Sequence, residues 1–348
     1  MNPVSIRGIG LITPVAGNAG ELMELARNLL RDENRWQNVK GQPSPLEFSL
    51  GLPPSKVRRA PRLVKMAVAA AHQALEDAKI PDCTGEDIGT VLSTSYGTVE
   101  SNVIFAESVV DAVPSLASPA VFPYTVPNSC LGQVCIVHGL QGPSTMLMGG
   151  DALEYSSLLL QGQKASYMLC GAVEEASPSL ISSYEEDGIL PADVLADGAV
   201  MFVLEAGGDN ADGYCQVTAV ASAALPACPY VSSLDDDAKA QAVQAMAEIL
   251  QETAGEKLPD LVLTAENGSY FDTAEKEALQ KAFGGQVSYR AAKAFFGEGL
   301  STGYGENVAL GAALIKAAKE QEKTVPRILA AGLDGHGNYL AALLEACL

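Results

Sequence analysis

Near-continuous apolar runs alternate with amphipathic stretches along most of this chain. The runs at 4–14, 87–94, 165–175 and 198–205 have the length and composition of buried strands. Residues 62–79 instead repeat apolar side chains every three or four positions in an alanine-rich context, which is typical of a helix. Because strands that are buried on both faces read as continuous apolar runs, the pattern predicts an α/β fold with mostly parallel buried sheets.

The alternation of strands and helices occurs twice. After a segment rich in Gly, Asp and Asn at 206–213, the second half has predicted strands at 214–222, 260–265, 286–292, 326–333 and 337–345, and helices at 236–254, 273–283 and 306–320. No sequence repeat is detectable between the halves. The order alone predicts a pseudo-duplicated α/β fold whose halves are residues 1–205 and 206–348.

Composition and charge narrow the possible partners. The 348 residues are 48% hydrophobic and 18% charged, which favours a large buried core over disorder. The formal net charge of −20 disfavours nucleic acids and anionic membranes as partners. It would also repel an acidic protein, unless a partner subunit supplied a basic docking surface.

The seven cysteines do not indicate a metal or redox centre. Cys130 and Cys135 lack the spacing of a zinc or disulfide-exchange motif, and no histidine cluster accompanies them. They are interpreted as free thiols in a reducing compartment. The N-terminus shows no basic segment followed by an apolar core, and no stretch approaches the roughly 18 apolar residues of a membrane span. We therefore expect a cytoplasmic protein with no metal and no cofactor.

Several motifs follow one another in a recognisable order. Gly8–Pro14 and Asp197–Glu205 flank a central region that holds Val126-Pro127-Asn128, Gly142-Pro143-Ser144 and the Cys-Gly-Ala-Val-Glu run at 170–174. This ordered set resembles the β-ketoacyl-acyl-carrier-protein synthases over nearly the whole chain. The resemblance implies the thiolase fold, a five-layered αβαβα arrangement that normally works as a dimer.

The nucleophile of that family has no equivalent here. Its condensation reaction uses a cysteine at a helix N-terminus, where the helix dipole favours the thiolate. The ninth residue after the Gly of Gly-Pro, which is the cysteine in the family, is Asp151 in this chain. Counting backward from Gly162 gives Leu147 instead. Neither residue is a thiol.

Both imidazoles of the family are also replaced. Two histidines normally assist decarboxylation and stabilise the enolate oxygen. The loop at 263–270 carries Glu266 at the first histidine position, and Glu298 stands five residues after the matching Lys293 at the second. The segment Gly335, His336, Gly337 and Asn338 resembles the glycine-rich loop that closes the site. The resemblance thus implies that the cysteine and both histidines of the family's active site are replaced in this chain.

The four residues at these positions admit two interpretations. If the fold is right, Asp151, Glu266, Lys293 and Glu298 converge, and three carboxylates with one ammonium would form a salt-bridged polar plug. The alternative is a paired-carboxylate catalyst or a Mg²⁺ or Ca²⁺ site built from oxygen ligands. His72 and His138 are interpreted as packing residues on helices.

Members of this family without the cysteine are chain-length factors, the β subunits of type II polyketide synthases, and shorter ones accompany aryl polyene synthases. The resemblance implies a non-catalytic subunit that pairs with a catalytic ketosynthase, shapes the acyl tunnel and meets the acyl carrier protein indirectly. The dimer face is expected around 126–148. Residues 95–125 would wall the tunnel with five apolar side chains: Phe105, Val113, Leu116, Phe122 and Tyr124.

Two other functions remain open from the sequence. One is a homodimeric regulatory protein that binds acyl chains or carrier proteins. The other is a decarboxylase or acyltransferase with a substituted active site. The sequence does not distinguish a homodimer from a heterodimer, because both bury the same kind of apolar face.

Overall fold

The computed structural model describes residues 2–42, 44–80, 83–110, 118–188, 194–207, 213–226, 235–266, 268–269 and 271–347. Within these ranges the strands are β1 Val4–Ile12, β2 Ile88–Thr94, β3 Ser144–Met148, β4 Tyr167–Glu174, β5 Gly198–Ala206, β6 Cys215–Ala224, β7 Leu261–Leu263, β8 Ser288–Arg290, β9 Ile328–Leu333 and β10 Asn338–Glu345. The helices are α1 Ala19–Arg31, α2 Arg62–Ala78, α3 Val99–Val110, α4 Asn128–His138, α5 Ala152–Gln161, α6 Pro178–Asp187, α7 Asp236–Ala254, α8 Phe271–Phe283, α9 Lys293–Phe296 and α10 Ser301–Glu320.

The strands hydrogen-bond in the order β3-β2-β4-β5-β1-β6-β10-β9-β7-β8. The first five and the last five strands have the same internal order, related by an axis between β1 and β6, which pair antiparallel. In each set one central strand, β2 or β7, is parallel to both its neighbours. The predicted division at 205/206 falls at the end of β5, and its status as a domain boundary stays a prediction.

The expectation of mostly parallel sheets is wrong. Among the described strands four pairs are parallel and five are antiparallel. The reversal occurs in the middle, where β4, β5, β1, β6, β10 and β9 alternate in direction. These strands are covered on both faces, so their sequences read as continuous apolar runs whatever their direction.

Five layers stack on one another, which confirms the αβαβα prediction. Helices α2 and α4 cover the outer face of the first strand set, and α7 and α8 cover the outer face of the second. Helices α5 and α10 lie between the two sets. The central position explains why α10 is buried at 17 of its 20 residues. No helix in the described ranges combines the length and apolarity needed to cross a membrane.

The start of α10 differs from the prediction. The helix begins at Ser301 rather than at 306, although Gly303 and Gly305 weaken helix propensity there. Close packing explains Gly303, since a Cβ at this position would come within 2.6 Å of Lys293 Cε. The glycine thus lets α10 lie directly against the buried lysine.

Candidate functional site

Asp151 stands at the turn between β3 and α5. Gly149 and Gly150, both with positive φ, reverse the chain after β3, and Asp151 is the N-cap of α5. Its Oδ1 accepts hydrogen bonds from the N–H groups of Leu153 at 2.8 Å and Glu154 at 3.1 Å. Leu147 lies inside β3, where it pairs with Ser93. Of the two candidate positions, Asp151 is therefore the one at a helix N-terminus.

The carboxyl group of Asp151 is buried. The residue is 7% exposed, and Oδ2 is buried without a hydrogen-bond partner among the described residues. The cavity against it has a volume of about 20 Å³ and is lined mostly by small residues together with Leu153, Phe202, Tyr304 and Val308. Burial raises the pKa of Asp151 to about 7, although the Glu154 N–H and the nearby Tyr304 hydroxyl partly oppose this. The space suffices for about one water molecule and not for an acyl chain.

The loop between β9 and β10 packs on this turn. Asp334 Oδ2 accepts hydrogen bonds from Gly150 N and Asn338 Nδ2, both at 2.7 Å, and Oδ1 accepts one from His336 N at 2.8 Å. A Cβ on Gly149 would lie 2.6 Å from His336 Cδ2. The predicted site-closing loop therefore lies directly over the residues that precede Asp151.

His336 is held by backbone contacts. Its Nε2 lies 2.9 Å from the Ser95 carbonyl oxygen, and the adjoining Gly335 N donates to Ser95 Oγ at 3.0 Å. Ser95 Oγ lies 2.6 Å from Ser301 Oγ at the start of α10. The loop is thus hydrogen-bonded to Ser95, which follows β2 and itself contacts the start of α10. The ring of His336 makes one of the contacts to Ser95.

Lys293 and Glu298 form a buried ion pair. Lys293 Nζ lies 2.9 and 2.8 Å from the two carboxylate oxygens of Glu298, and the side chains are 2% and 0% exposed. Glu298 Oε1 also accepts a hydrogen bond from Leu300 N at 2.8 Å. The ammonium is therefore neutralised by the residue at the second histidine position.

Glu306 joins this pair, and the sequence analysis missed it. Burial raises the pKa of Glu306 to about 8, with Lys293 opposing the rise and Glu298 adding to it. Thr302 Oγ1 lies 3.3 Å from Glu306 Oε1, and Oε2 is buried without a partner among the described residues. In the sequence, the signal that could have revealed Glu306 is its position as a carboxylate among the apolar residues of α10. The triad holds one compensated ion pair and one protonated carboxyl group at neutral pH.

Glu266 follows β7 at the rim of a larger cavity. Its side chain is 13% exposed, and Oε2 lies 3.5 Å from Lys276 Nζ. Glu266 and Lys293 line the same open cavity of about 660 Å³, whereas Asp151 lines the separate small one. The structure thus brings Lys293 and Glu298 into contact and Glu266 near them, but it does not bring Asp151 into this group. Within the described ranges no three His, Cys, Asp or Glu side chains could hold a metal ion.

Cys170 lines the small cavity beside Asp151, and burial raises the pKa of its thiol. The six described cysteines are free, and burial raises the pKa of Cys130 to about 12, so it is a poor nucleophile. His72 and His138 stack with ring centroids 5.7 Å apart between α2 and α4. Cys228 and the predicted wall residues Val113 and Leu116 lie outside the described residues.

Comparisons with known proteins agree with this fold. The model for the β-ketoacyl synthase N-terminal domain matches residues 47–216. The 3-oxoacyl-[acyl-carrier-protein] synthase 2 of Synechocystis sp. is 27% identical over 190 residues, which are 50% of this chain and 45% of the relative. The chain thus matches about half the length of this curated relative.

Two solved structures are similar over nearly their whole length. The ishigamide ketosynthase/chain length factor gives a TM-score of 0.75 at 22% identity and covers 100% of both chains. A type II polyketide synthase acyl-carrier protein in complex with its ketosynthase gives 0.72 at 19% identity over 99% of both chains. These likenesses show the fold. The chain therefore has a thiolase-like fold, and its residues 47–216 match the β-ketoacyl synthase N-terminal domain.

Proposed function

We propose that this chain is a non-catalytic, chain-length-factor-like subunit that pairs with a catalytic β-ketoacyl synthase and shapes its acyl tunnel. The proposal depends on the burial of Asp151 beside a small cavity. A nucleophile must reach an incoming thioester, but this carboxyl group caps α5 and faces about 20 Å³ of space. The chain therefore offers no room to carry an acyl group at that point.

The two glutamates at the histidine positions support the same conclusion. Enolate formation needs hydrogen-bond donors or positive charge at the developing oxyanion. Glu298 is a carboxylate already neutralised by Lys293, and Glu266 lies beside a different lysine, Lys276. A decarboxylase or acyltransferase would lack both a nucleophile and an oxyanion stabiliser.

A surface for a partner lies at the β3 edge of the sheet. Ten large hydrophobic residues are exposed among the described ones, and eight of them fall between 104 and 158: Ile104, Val110, Phe122, Val126, Ile136, Met148, Tyr155 and Leu158. They belong to α3, the 122–126 segment, α4, β3 and α5, which we call the edge face. Such a concentration of apolar side chains is typical of a protein interface.

The geometry of the edge face suits a second thiolase-like subunit. Among the described strands, β3 is the outermost and pairs only with β2, so it forms an edge of the sheet. Helix α4 flanks it on one side of the sheet and α5 on the other. A partner with the same layered architecture could continue all three layers.

An acyl tunnel would run along α3. The Phe105 and Phe122 rings lie 5.4 Å apart, and Phe122 is 61% exposed. Tyr124 packs against the core at the α2 and α4 side, so it is the most interior of the described wall residues. These aromatic side chains could limit the length of a chain growing in the partner.

The carrier protein would meet a local basic segment despite the net charge of −20. Residues 56–65 hold five cations, and only Arg62 forms a salt bridge among the described residues, with Asp197. Lys56, Arg58 and Arg59 are exposed, and Lys56 Nζ contacts the Val137 carbonyl of α4. The segment therefore adjoins the edge face and would attract an acidic carrier protein to the pair.

The test is native mass spectrometry of this chain coexpressed with cysteine-bearing ketosynthases of its own genome. We expect a 1:1 complex with one of them. Ile136→Glu, on the edge face, should abolish the complex, because it places a charge at a side chain that is 76% exposed. Leu258→Glu, at a 39% exposed position outside the face, is the matched control and should leave the complex intact.

If this chain formed only homodimers when coexpressed with each ketosynthase, the proposal would be contradicted. That result would favour the homodimeric acyl- or carrier-protein-binding protein instead. Turnover of malonyl-carrier protein by the isolated chain would favour the enzyme.

A further inference from the structure

A cavity beside α1 has no part in the proposed pairing with a ketosynthase. Its volume is about 390 Å³, which lies in the range of small-molecule sites. Its walls are formed by α1, the 3₁₀ helix Glu33–Gln37 and the two residues that follow it, all within the described range 2–42. No residue of the edge face lines this cavity.

Two charged side chains line the cavity, and both are accessible to solvent. Asp32 joins α1 to the 3₁₀ helix, and its Oδ1 accepts a hydrogen bond from Asn34 N at 3.0 Å. Its Oδ2 lies 4.0 Å from Arg35 Nε, which is beyond hydrogen-bond distance. The Asp32 and Arg35 side chains are 50% and 56% exposed, and within the described ranges Arg35 has no other ion pair. Both charged groups are therefore available to a ligand.

The rest of the lining is partly apolar and partly amide. Leu25, Leu29 and Val39 provide the apolar surface, and Leu29 belongs to the buried core. Asn28 and Asn38 add two carboxamide groups, each of which can donate and accept hydrogen bonds. A ligand that fits this lining therefore combines polar groups with an aliphatic part.

The two opposite charges select among such ligands. Arg35 attracts an anion that Asp32 repels, and Asp32 attracts a cation that Arg35 repels. A ligand that carries both charges close together satisfies both side chains. In an α-amino acid a single carbon atom bears the ammonium and the carboxylate group, which suits two protein charges that are 4.0 Å apart.

We propose that this cavity binds a zwitterionic α-amino acid with an aliphatic side chain. The carboxylate of the ligand accepts hydrogen bonds from the Arg35 guanidinium group, and its ammonium group donates to Asp32 Oδ2. Its aliphatic side chain packs on the apolar surface of the cavity. The site lies within a single chain, so it goes beyond the proposed subunit role and does not depend on it.

The test is isothermal titration of the purified chain with L-leucine and two analogues that each lack one charge, isopentylamine and isocaproate. We expect saturable binding of L-leucine, with an affinity about five-fold or more above that of either analogue, because each analogue loses a charge-assisted hydrogen bond. Trp36 is the single tryptophan of the chain and directly follows Arg35, so its fluorescence provides a second readout.

Two variants test the charges separately. Arg35→Gln should weaken L-leucine binding about five-fold or more and make isopentylamine the tighter of the two analogues. Asp32→Asn should also weaken L-leucine binding and make isocaproate the tighter one, while asparagine preserves the helix cap. Arg31→Gln is the matched control, because Arg31 is an exposed cation that does not line the cavity, and it should leave all three affinities unchanged.

The proposal would be overturned if L-leucine did not bind, if the three probes bound equally, or if the two variants left the order of the analogues unchanged. A variant that only destabilised the fold would weaken all three probes together, whereas the proposal predicts opposite preferences in the two variants. None of these results bears on the proposed pairing with a ketosynthase, since that pairing is measured on complexes.

Discussion

At the scale of single residues, the buried triad of Lys293, Glu298 and Glu306 shows how this site compensates a buried ammonium group. One carboxylate neutralises the ammonium, and the other carboxyl group stays protonated because burial raises its pKa to about 8. If Glu298 lost its charge, Glu306 could release its proton and become the new counter-ion of Lys293. The two glutamates are therefore energetically coupled.

This coupling predicts a non-additive pair of substitutions. Removing one partner of a buried ion pair costs about 3–5 kcal/mol when nothing replaces it. We expect Glu298→Gln alone to lower the free energy of unfolding by less than that, and Glu298→Gln/Glu306→Gln to show the full loss. The measurement is urea unfolding of the three proteins at pH 7.

The matched control is an exposed ion pair. Arg27 and Glu320 are 40% and 41% exposed, so Glu320→Gln should change the free energy of unfolding by less than about 1 kcal/mol. If Glu298→Gln alone already cost as much as the double variant, Glu306 would not act as the reserve counter-ion.

Motif spacing located part of the site but could not give its energetics. Lys293 and Glu298 were found because a local five-residue spacing links them. Glu306 and Tyr304 were missed because they reach the site through the packing of α10, which no local pattern encodes.

At the scale of elements, β1 and α2 are in unusually close contact. A Cβ on Gly10 of β1 would lie 1.9 Å from the Ala70 carbonyl oxygen of α2. The alanine-rich face of α2 permits this approach, because residues 67–71 are all small or β-branched and are buried. The position therefore accepts only glycine.

Substitution of two glycines by alanine should have opposite effects. Gly10→Ala forces β1 and α2 apart, and we expect it to destabilise the fold by several kcal/mol, as overpacking a core costs about 1–3 kcal/mol or more. Gly132→Ala in α4 meets no atom within 4 Å and should stabilise the chain by about 0.5–1 kcal/mol through helix propensity. Thermal unfolding measures both. If Gly10→Ala left Tm unchanged, the close spacing of β1 and α2 would not be needed for stability.

Sequence periodicity predicted element type better than strand direction. Helix α7 has the predicted bounds, because its apolar spacing and its Asp N-cap are local signals. The antiparallel strands in the middle of the sheet were missed, since direction depends on long-range pairing. Helix α6 was not predicted at all, although Ser177 caps it and Pro178 is its first residue.

At the scale of the whole molecule, buried carboxyl groups set the pH dependence of stability. Burial raises the pKa of Asp151 and Glu275 to about 7 and that of Glu306 to about 8. The unfolded chain releases these protons near their ordinary pKa values of 3.8 for aspartate and 4.5 for glutamate. Between these limits the folded state binds more protons, so stability falls as the pH rises.

We therefore expect Tm to decrease steadily from pH 5 to pH 8. Each group contributes up to about 1.4 kcal/mol per pH unit until its folded pKa is passed. Glu306→Gln should flatten the dependence, because it removes the group with the highest of these pKa values. Differential scanning calorimetry of both proteins measures this. A Tm that is constant or increases between pH 5 and pH 8 would contradict the raised pKa values.

The central claim concerns which subunit carries the growing chain. Intact-protein mass spectrometry of the purified pair, after incubation with an acyl-carrier protein loaded with its acyl group, measures this directly. The account predicts an acyl mass increase on the cysteine-bearing ketosynthase only, and none on this chain even when the partner's cysteine is replaced by alanine. An acyl adduct on this chain would show that it has a working nucleophile and would contradict the account.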